Sequence, residues 1–163
     1  MIGRDNDDTA QVWQLIEKQP VAMMTTEEDG RLVSRPMYSV VRPDENAIYF
    51  VTRLDSAKVA EIRDRAPVNL GYANPGASEY VSLSGSAATS QDRAKLRELW
   101  SLFAEAWLPE GPDGDDVALI TVTPEEAKFW DSTSSKLLRM IRMLKAAATQ
   151  TPPDGGRVRE VSM

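Results

Sequence analysis

Three clusters of turn-forming residues, Glu27-Glu28-Asp29-Gly30, Pro43-Asp44-Glu45-Asn46 and Asn74-Pro75-Gly76, cut the chain into short apolar runs. Runs this short, joined by turns this tight, must pair antiparallel, because a parallel return needs a crossover of about a dozen residues or more. Val21 to Thr26 reads as one strand, Arg31 to Arg42 as its hairpin partner and Ala47 to Thr52 as a third. Val68 to Ala73 and Tyr80 to Ala88 follow, and Val117 to Val122 is a last core strand. Within Tyr80 to Ala88, Val81, Leu83 and Gly85 share one side while Ser82, Ser84 and Ser86 share the other, the period of a half-buried strand. Five or six antiparallel strands with peripheral helices predict a mainly β fold, a small closed or split barrel.

The helices are read from caps and stripes. Thr9 caps a helix over 10–18 carrying Val12, Leu15 and Ile16 on one face, and Pro20 ends it. Asp55 or Ser56 caps a short helix reaching about Arg65. Thr89 and Asp92 form a capping box for a helix over 90–107, in which Trp100 and Trp107, seven residues apart, read as core. Thr123-Pro124-Glu125-Glu126 reads as the start of a helical turn, and Phe129-Trp130-Asp131 as a return to the sheet. Lys136 to Ala148 is a basic amphipathic helix, suited to docking on the barrel or on a second subunit. These elements make one domain over 1–150, and 151–163, rich in Pro, Gly and charge, reads as a flexible tail.

Composition narrows the chemistry. Among 163 residues there is no cysteine and no histidine, which removes thiolate and imidazole catalysis and the metal sites built on either side chain. A net charge of −6, with bases interleaved among acids, argues against a nucleic-acid partner. No apolar run reaches the length of a membrane span and the first residues are polar, so the expectation is a cytoplasmic protein with no membrane partner. What remains for catalysis is carboxylates, hydroxyls, Lys, Arg or a borrowed cofactor.

The segment from Ser34 to Lys58 has the character of an anion pocket. Lys58 falls in the first turn of its helix, where a cation opposes the helix dipole and a bound anion removes the conflict. Arg35 can add a planar fork and Thr52 a hydroxyl to the same phosphate. The competing reading pairs Arg35 with one of the 25 acidic residues and leaves Lys58 to solvent. Pro36 within a strand removes a ladder donor, which suits a backbone that faces a ligand.

Taken in order, Val21-Ala22-Met23-Met24-Thr25-Thr26, Ser34-Arg35-Pro36-Met37, Tyr49-Phe50-Val51-Thr52, Asp55-Ser56-Ala57-Lys58, Val81-Ser82-Leu83-Ser84-Gly85 and Phe129-Trp130-Asp131-Ser132 resemble the general stress protein 26 family. That family belongs to the pyridoxamine 5′-phosphate oxidase-like, FMN-binding split barrels, and the resemblance spans about residues 9–148. It implies a six-stranded antiparallel split β-barrel that forms a homodimer with FMN in clefts at the subunit interface. By matching position, Arg35, Ser56 and Lys58, with Thr52 beside them, would hold the FMN phosphate. Pro36, Met37, Tyr38 and Val51 would border the ribityl chain and ring, and Trp130 of the partner subunit would close the cleft. The C-terminal Arg-x-His-type segment of the vitamin-B6 oxidases has no counterpart in a chain without histidine, which disfavours pyridoxamine oxidation. The implied function is a flavin-dependent oxidoreductase, the alternative a stress protein that stores or senses FMN without turnover.

Overall fold

The computed structural model describes residues 2–62, 66–131 and 157–163, together with 143–144 and 147–148. Helix α1 (Ile2–Glu17) leads into β1 (Val21–Glu28), β2 (Arg31–Tyr38), β3 (Val40–Arg42) and β4 (Ala47–Arg53). Then come α2 (Ala57–Glu61), β5 (Ala66–Asn74), β6 (Glu79–Ser90), α3 (Arg93–Leu99), α4 (Leu102–Trp107), β7 (Val117–Asp131) and β8 (Arg157–Ser162).

The hairpin between β1 and β2 turns on two residues, Asp29 and Gly30, both with positive φ (49° and 76°). This is the Asp-Gly geometry whose twist matches that of the flanking strands. All pairings are antiparallel, in the order β2-β1-β5-β6-β7-β4-β3, with β8 paired to β7. Strands β2 and β3 stand at opposite ends of this order, yet only Ser39 separates them in the chain. The sheet therefore has to curl until its two edges meet, which makes it a barrel with a seam. Where β6 crosses β7, the register shifts between Ser84 and Gly85. A Cβ on Gly85 would lie 2.3 Å from the Thr123 carbonyl oxygen, so this crossing requires glycine.

Two apolar layers flank the seam. The barrel interior holds Met24, Phe50, Leu70, Leu83, Ile120 and Phe129, and is plugged by Val12, Trp13, Leu15 and Ile16 of α1. On the outer side of β4 and β7, Tyr49, Val117 and Leu119 are covered by Leu96 and Leu99 of α3 and by Leu108. Burial on both faces explains why Val117–Ile120 is an unbroken apolar run where β6 alternates.

Several expectations are corrected. Among the described residues the sheet has eight strands, because the Arg31 to Arg42 run breaks at Ser39 and β8 adds to the edge of β7. Thr9 lies inside α1, which starts at Ile2. The Ser90 to Trp107 helix is two helices: Trp100 is extended (φ −64°, ψ 134°), and Asp92 and Ser101 cap the two pieces, accepting from the Lys95 and Ala104 amides. Thr123-Pro124-Glu125-Glu126 is strand, part of a single β7 of 15 residues. Residues 157–162, expected in the tail, are β8, where Val161 is buried and Arg159 bonds Asp8 of α1 at 2.8 Å. Residues 143–144 and 147–148 are helical, and the rest of the expected Lys136 to Ala148 helix lies outside the described residues, as does 151–156.

Candidate functional site

The seam leaves a cleft of about 430 Å³, of the size that takes a single small ligand. Its walls are Pro36, Met37 and Tyr38 from the end of β2, Val51, Thr52 and Arg53 from the end of β4, Ser56 and Lys58 at the start of α2, and Val21, Trp107 and Leu108. Seven of the nine residues singled out in the sequence thus meet in one place. Pro36 fits because β2 is an edge strand, where a missing N–H leaves no further strand short of a donor.

Polar groups gather at the α2 end. Ser56 caps α2 in an extended conformation, its hydroxyl donating to the Arg53 carbonyl at 2.8 Å. The Thr52 hydroxyl, on a side chain only 6% exposed, and the Lys58 ammonium have no hydrogen-bond partner among the described residues. Burial holds the Lys58 pKa below the usual lysine value, and the nearby Arg35 guanidinium lowers it further, against the pull of Glu61 and Asp55. Because α2 has five residues, its dipole is small, and the positive character of this end of the cleft comes instead from Lys58, half-buried and without an ion-pair partner among the described residues.

Arg35 and Trp130 lie outside the cleft walls. Arg35 shares the inner face of β2 with Met37, and there it donates to Thr26 and to Glu61, the latter at 3.3 Å. Trp130 sits on β7 between Tyr80 and Val158, half-buried on the outer sheet face. Continuing the β1–β5 register places Ala73 beside Val21, so Tyr38, Val21, Ala73, Tyr80, Trp130 and Val158 form one row across the sheet. Trp130 is three strand spacings, roughly 14 Å, from the cleft residue Val21.

Four wall residues were not anticipated: Val21, Arg53, Trp107 and Leu108. Trp107, read as core, is 70% exposed, because the break at Trp100 takes it off the buried stripe. Pro109, two residues after Trp107, was the available signal that the helix ends there and leaves its last ring at the surface.

A curled antiparallel sheet whose seam holds an apolar cleft with a lysine and hydroxyls at one end defines a split-barrel protein. The chain belongs to the pyridoxamine 5′-phosphate oxidase-like family, whose model matches residues 7–154. Among solved structures it is similar to a protein assigned as general stress protein 26 from Jannaschia sp. CCS1, with 27% identity and a TM-score of 0.79 over 97% of this chain and 99% of that one. It is also similar to the general stress FMN/FAD binding protein from Xanthomonas citri, with 26% identity and a TM-score of 0.68 over 77% of this chain and 89% of that one. Protein bli-3 of Neurospora crassa is 25% identical over 153 residues, covering 86% of this chain and 73% of its own length.

Proposed function

We propose that the cleft binds FMN and that the protein is a flavin-dependent oxidoreductase with a role in the general stress response. The observation that carries this reading is the composition of the cleft: Lys58, without a partner among the described residues, with Thr52 and Ser56 at one end, and Val21, Met37, Val51, Trp107 and Leu108 along the walls. A phosphate joined to a flat ring system matches that division. The name of the Xanthomonas citri relative supports a flavin ligand for the family fold.

In this reading Lys58, Thr52 and Ser56 hold the phosphate, the Pro36 to Tyr38 backbone and Val51 border the remainder, and the apolar walls exclude water. Bound FMN supplies the electron-transfer chemistry that a chain without histidine or cysteine does not. We further propose a homodimer formed through the outer sheet face. That face exposes Val21, Met23 and Tyr38 beside the cleft and Tyr80 and Val158 beside Trp130. A two-fold contact across it would bring each subunit's Trp130 toward the other's cleft.

A second reading, flavin storage or sensing without turnover, is favoured by one observation: among the described residues no carboxylate lines the cleft to move a proton. The visible spectrum of the purified protein, followed by FMN titration, tests the cofactor. A flavin spectrum with one FMN per chain is expected, and a colourless protein that ignores added FMN overturns the assignment. Anaerobic mixing with NADH or NADPH then separates turnover, seen as rapid bleaching of the oxidised flavin band, from storage.

A further inference from the structure

We propose that the chain carries a second ligand site, distinct from the seam cleft, which takes a small organic acid with its carboxylate on Arg42 and its apolar body against Trp100. The proposal goes beyond the FMN reading and does not depend on it. A cavity of about 390 Å³ opens where three segments meet: the chain leaving α1 at Gln19 and Pro20, the β2–β3 junction from Tyr38 to Arg42, and the break between α3 and α4 from Glu98 to Ser101. That volume is within the range of small-molecule sites. Tyr38 borders both cavities, and no other described residue does.

Arg42 is the cation of this cavity. Half-buried on β3, it makes one hydrogen bond among the described residues, to the adjacent Val41 carbonyl at 3.3 Å, and no ion pair. Glu45, the acid whose charge it feels, is already committed to Lys95 and to the Tyr49 hydroxyl. Most of the guanidinium's donors are therefore unused, in the planar fork that grips a carboxylate through two parallel bonds. The apolar half comes from Val40, Leu99 and Trp100, which continue the layer on the outer side of β4 and β7. The Trp100 indole N–H is buried without an acceptor among the described residues, where such donors are ordinarily paired. Two carboxylates also border the cavity. Glu98 is held by Lys95 at 3.1 Å, and Glu17 is exposed, where water screens its charge. They disfavour a dianion such as phosphate and leave Arg42 to a single carboxylate whose body rests on the apolar half.

The test titrates benzoate, its uncharged counterpart benzamide and inorganic phosphate into the full-length parent, Arg42→Met, Arg42→Lys and Trp100→Phe by calorimetry, with and without FMN. Circular dichroism verifies the fold of each variant. The parent should bind benzoate saturably and about tenfold more tightly than benzamide. Arg42→Met should abolish that preference while leaving FMN affinity within about twofold of the parent, and Arg42→Lys should keep part of the preference. Trp100→Phe should weaken benzoate and benzamide alike. No saturable benzoate binding to the parent overturns the proposal, as does a preference for benzoate that survives Arg42→Met. Displacement of benzoate by FMN would put the probe in the seam cleft and overturn it, and phosphate binding more tightly than benzoate would overturn the assigned ligand class. A protein that ignores FMN yet binds benzoate through Arg42 overturns the cofactor reading and leaves this site standing.

Discussion

Lys58 is the residue on which function and stability conflict most directly. A charged ammonium held half-buried without a hydrogen-bond partner among the described residues costs the free protein stability, and an anionic ligand would relieve that cost. Lys58→Met should weaken FMN by roughly 1.5–3 kcal/mol, as expected for losing a charge-assisted hydrogen bond, with little change for riboflavin. The same variant should melt a few degrees higher without ligand, roughly 1–3 °C, in paired scanning-fluorimetry and titration experiments. The pH dependence follows from the same lowered pKa. FMN favours the protonated lysine, so its affinity should be flat at neutral pH and fall on the alkaline side as Lys58 deprotonates, earlier than an ordinary lysine would. Stability of the free protein runs the other way: the folded state holds this proton less tightly than the unfolded chain, so this group's contribution rises with pH between the two pKa values. An FMN titration series across alkaline pH, with Lys58→Met as the pH-independent reference, checks the sign.

The strands carry their own tests. The β6–β7 crossing depends on Gly85, because an added methyl would meet backbone at Thr123 with no flexible side chain to give way. Gly85→Ala should cost about 3 kcal/mol, seen as a lower urea midpoint at an unchanged slope. Strand β8 closes the interior where β4 leaves β7: Val161 is 4% exposed, and Arg159 lies over the Phe129 ring with its guanidinium carbon 5.7 Å from the centroid. Val161→Ala should cost about 2 kcal/mol by the same measurement, whereas a tail that merely hung from the domain would show no change. On the opposite flank, Lys95 bridges Glu45 and Glu98 over the Tyr49 ring, tying the turn before β4 to α3. Those pairs are exposed enough that the apolar layer beneath them carries more of the attachment.

At the scale of the whole molecule, the outer sheet face is the open feature. Its central row is apolar from Tyr38 to Val158, and the row beside it contains Pro36, Met23, Gly71 and Ser82 before reaching Lys128. These two rows are uncharged from β2 to β6 and continuous with the cleft, which suits a second copy. The mass in solution should be that of a dimer with one FMN per chain, and Tyr80→Glu should shift it toward monomer and weaken FMN together. If Tyr80→Glu yields a monomer with unchanged FMN affinity, then one chain completes the cleft and Trp130 has no part in it.

The antiparallel pairing, the alternation of β6 and the Asp29-Gly30 hairpin were legible in the chain, because turn chemistry and side-chain periodicity act over a few residues, whereas the gathering of Pro36, Thr52, Ser56 and Lys58 was implied by the resemblance. Motif order extended this to the family. What the sequence left open was settled by contacts between distant segments. Arg35 could have faced a ligand or an acid, and Glu61, 26 residues away, became its partner only once α2 packed beside β1. Trp107 became a cleft wall because the helix broke at Trp100, and 157–162 became a strand because β7 had an unpaired edge for it. Local patterns specify which elements form, since they depend on near neighbours. Which face each element buries, and which charges it leaves unpaired, depends on the closing of the barrel at Ser39, and that is a property of the folded chain alone.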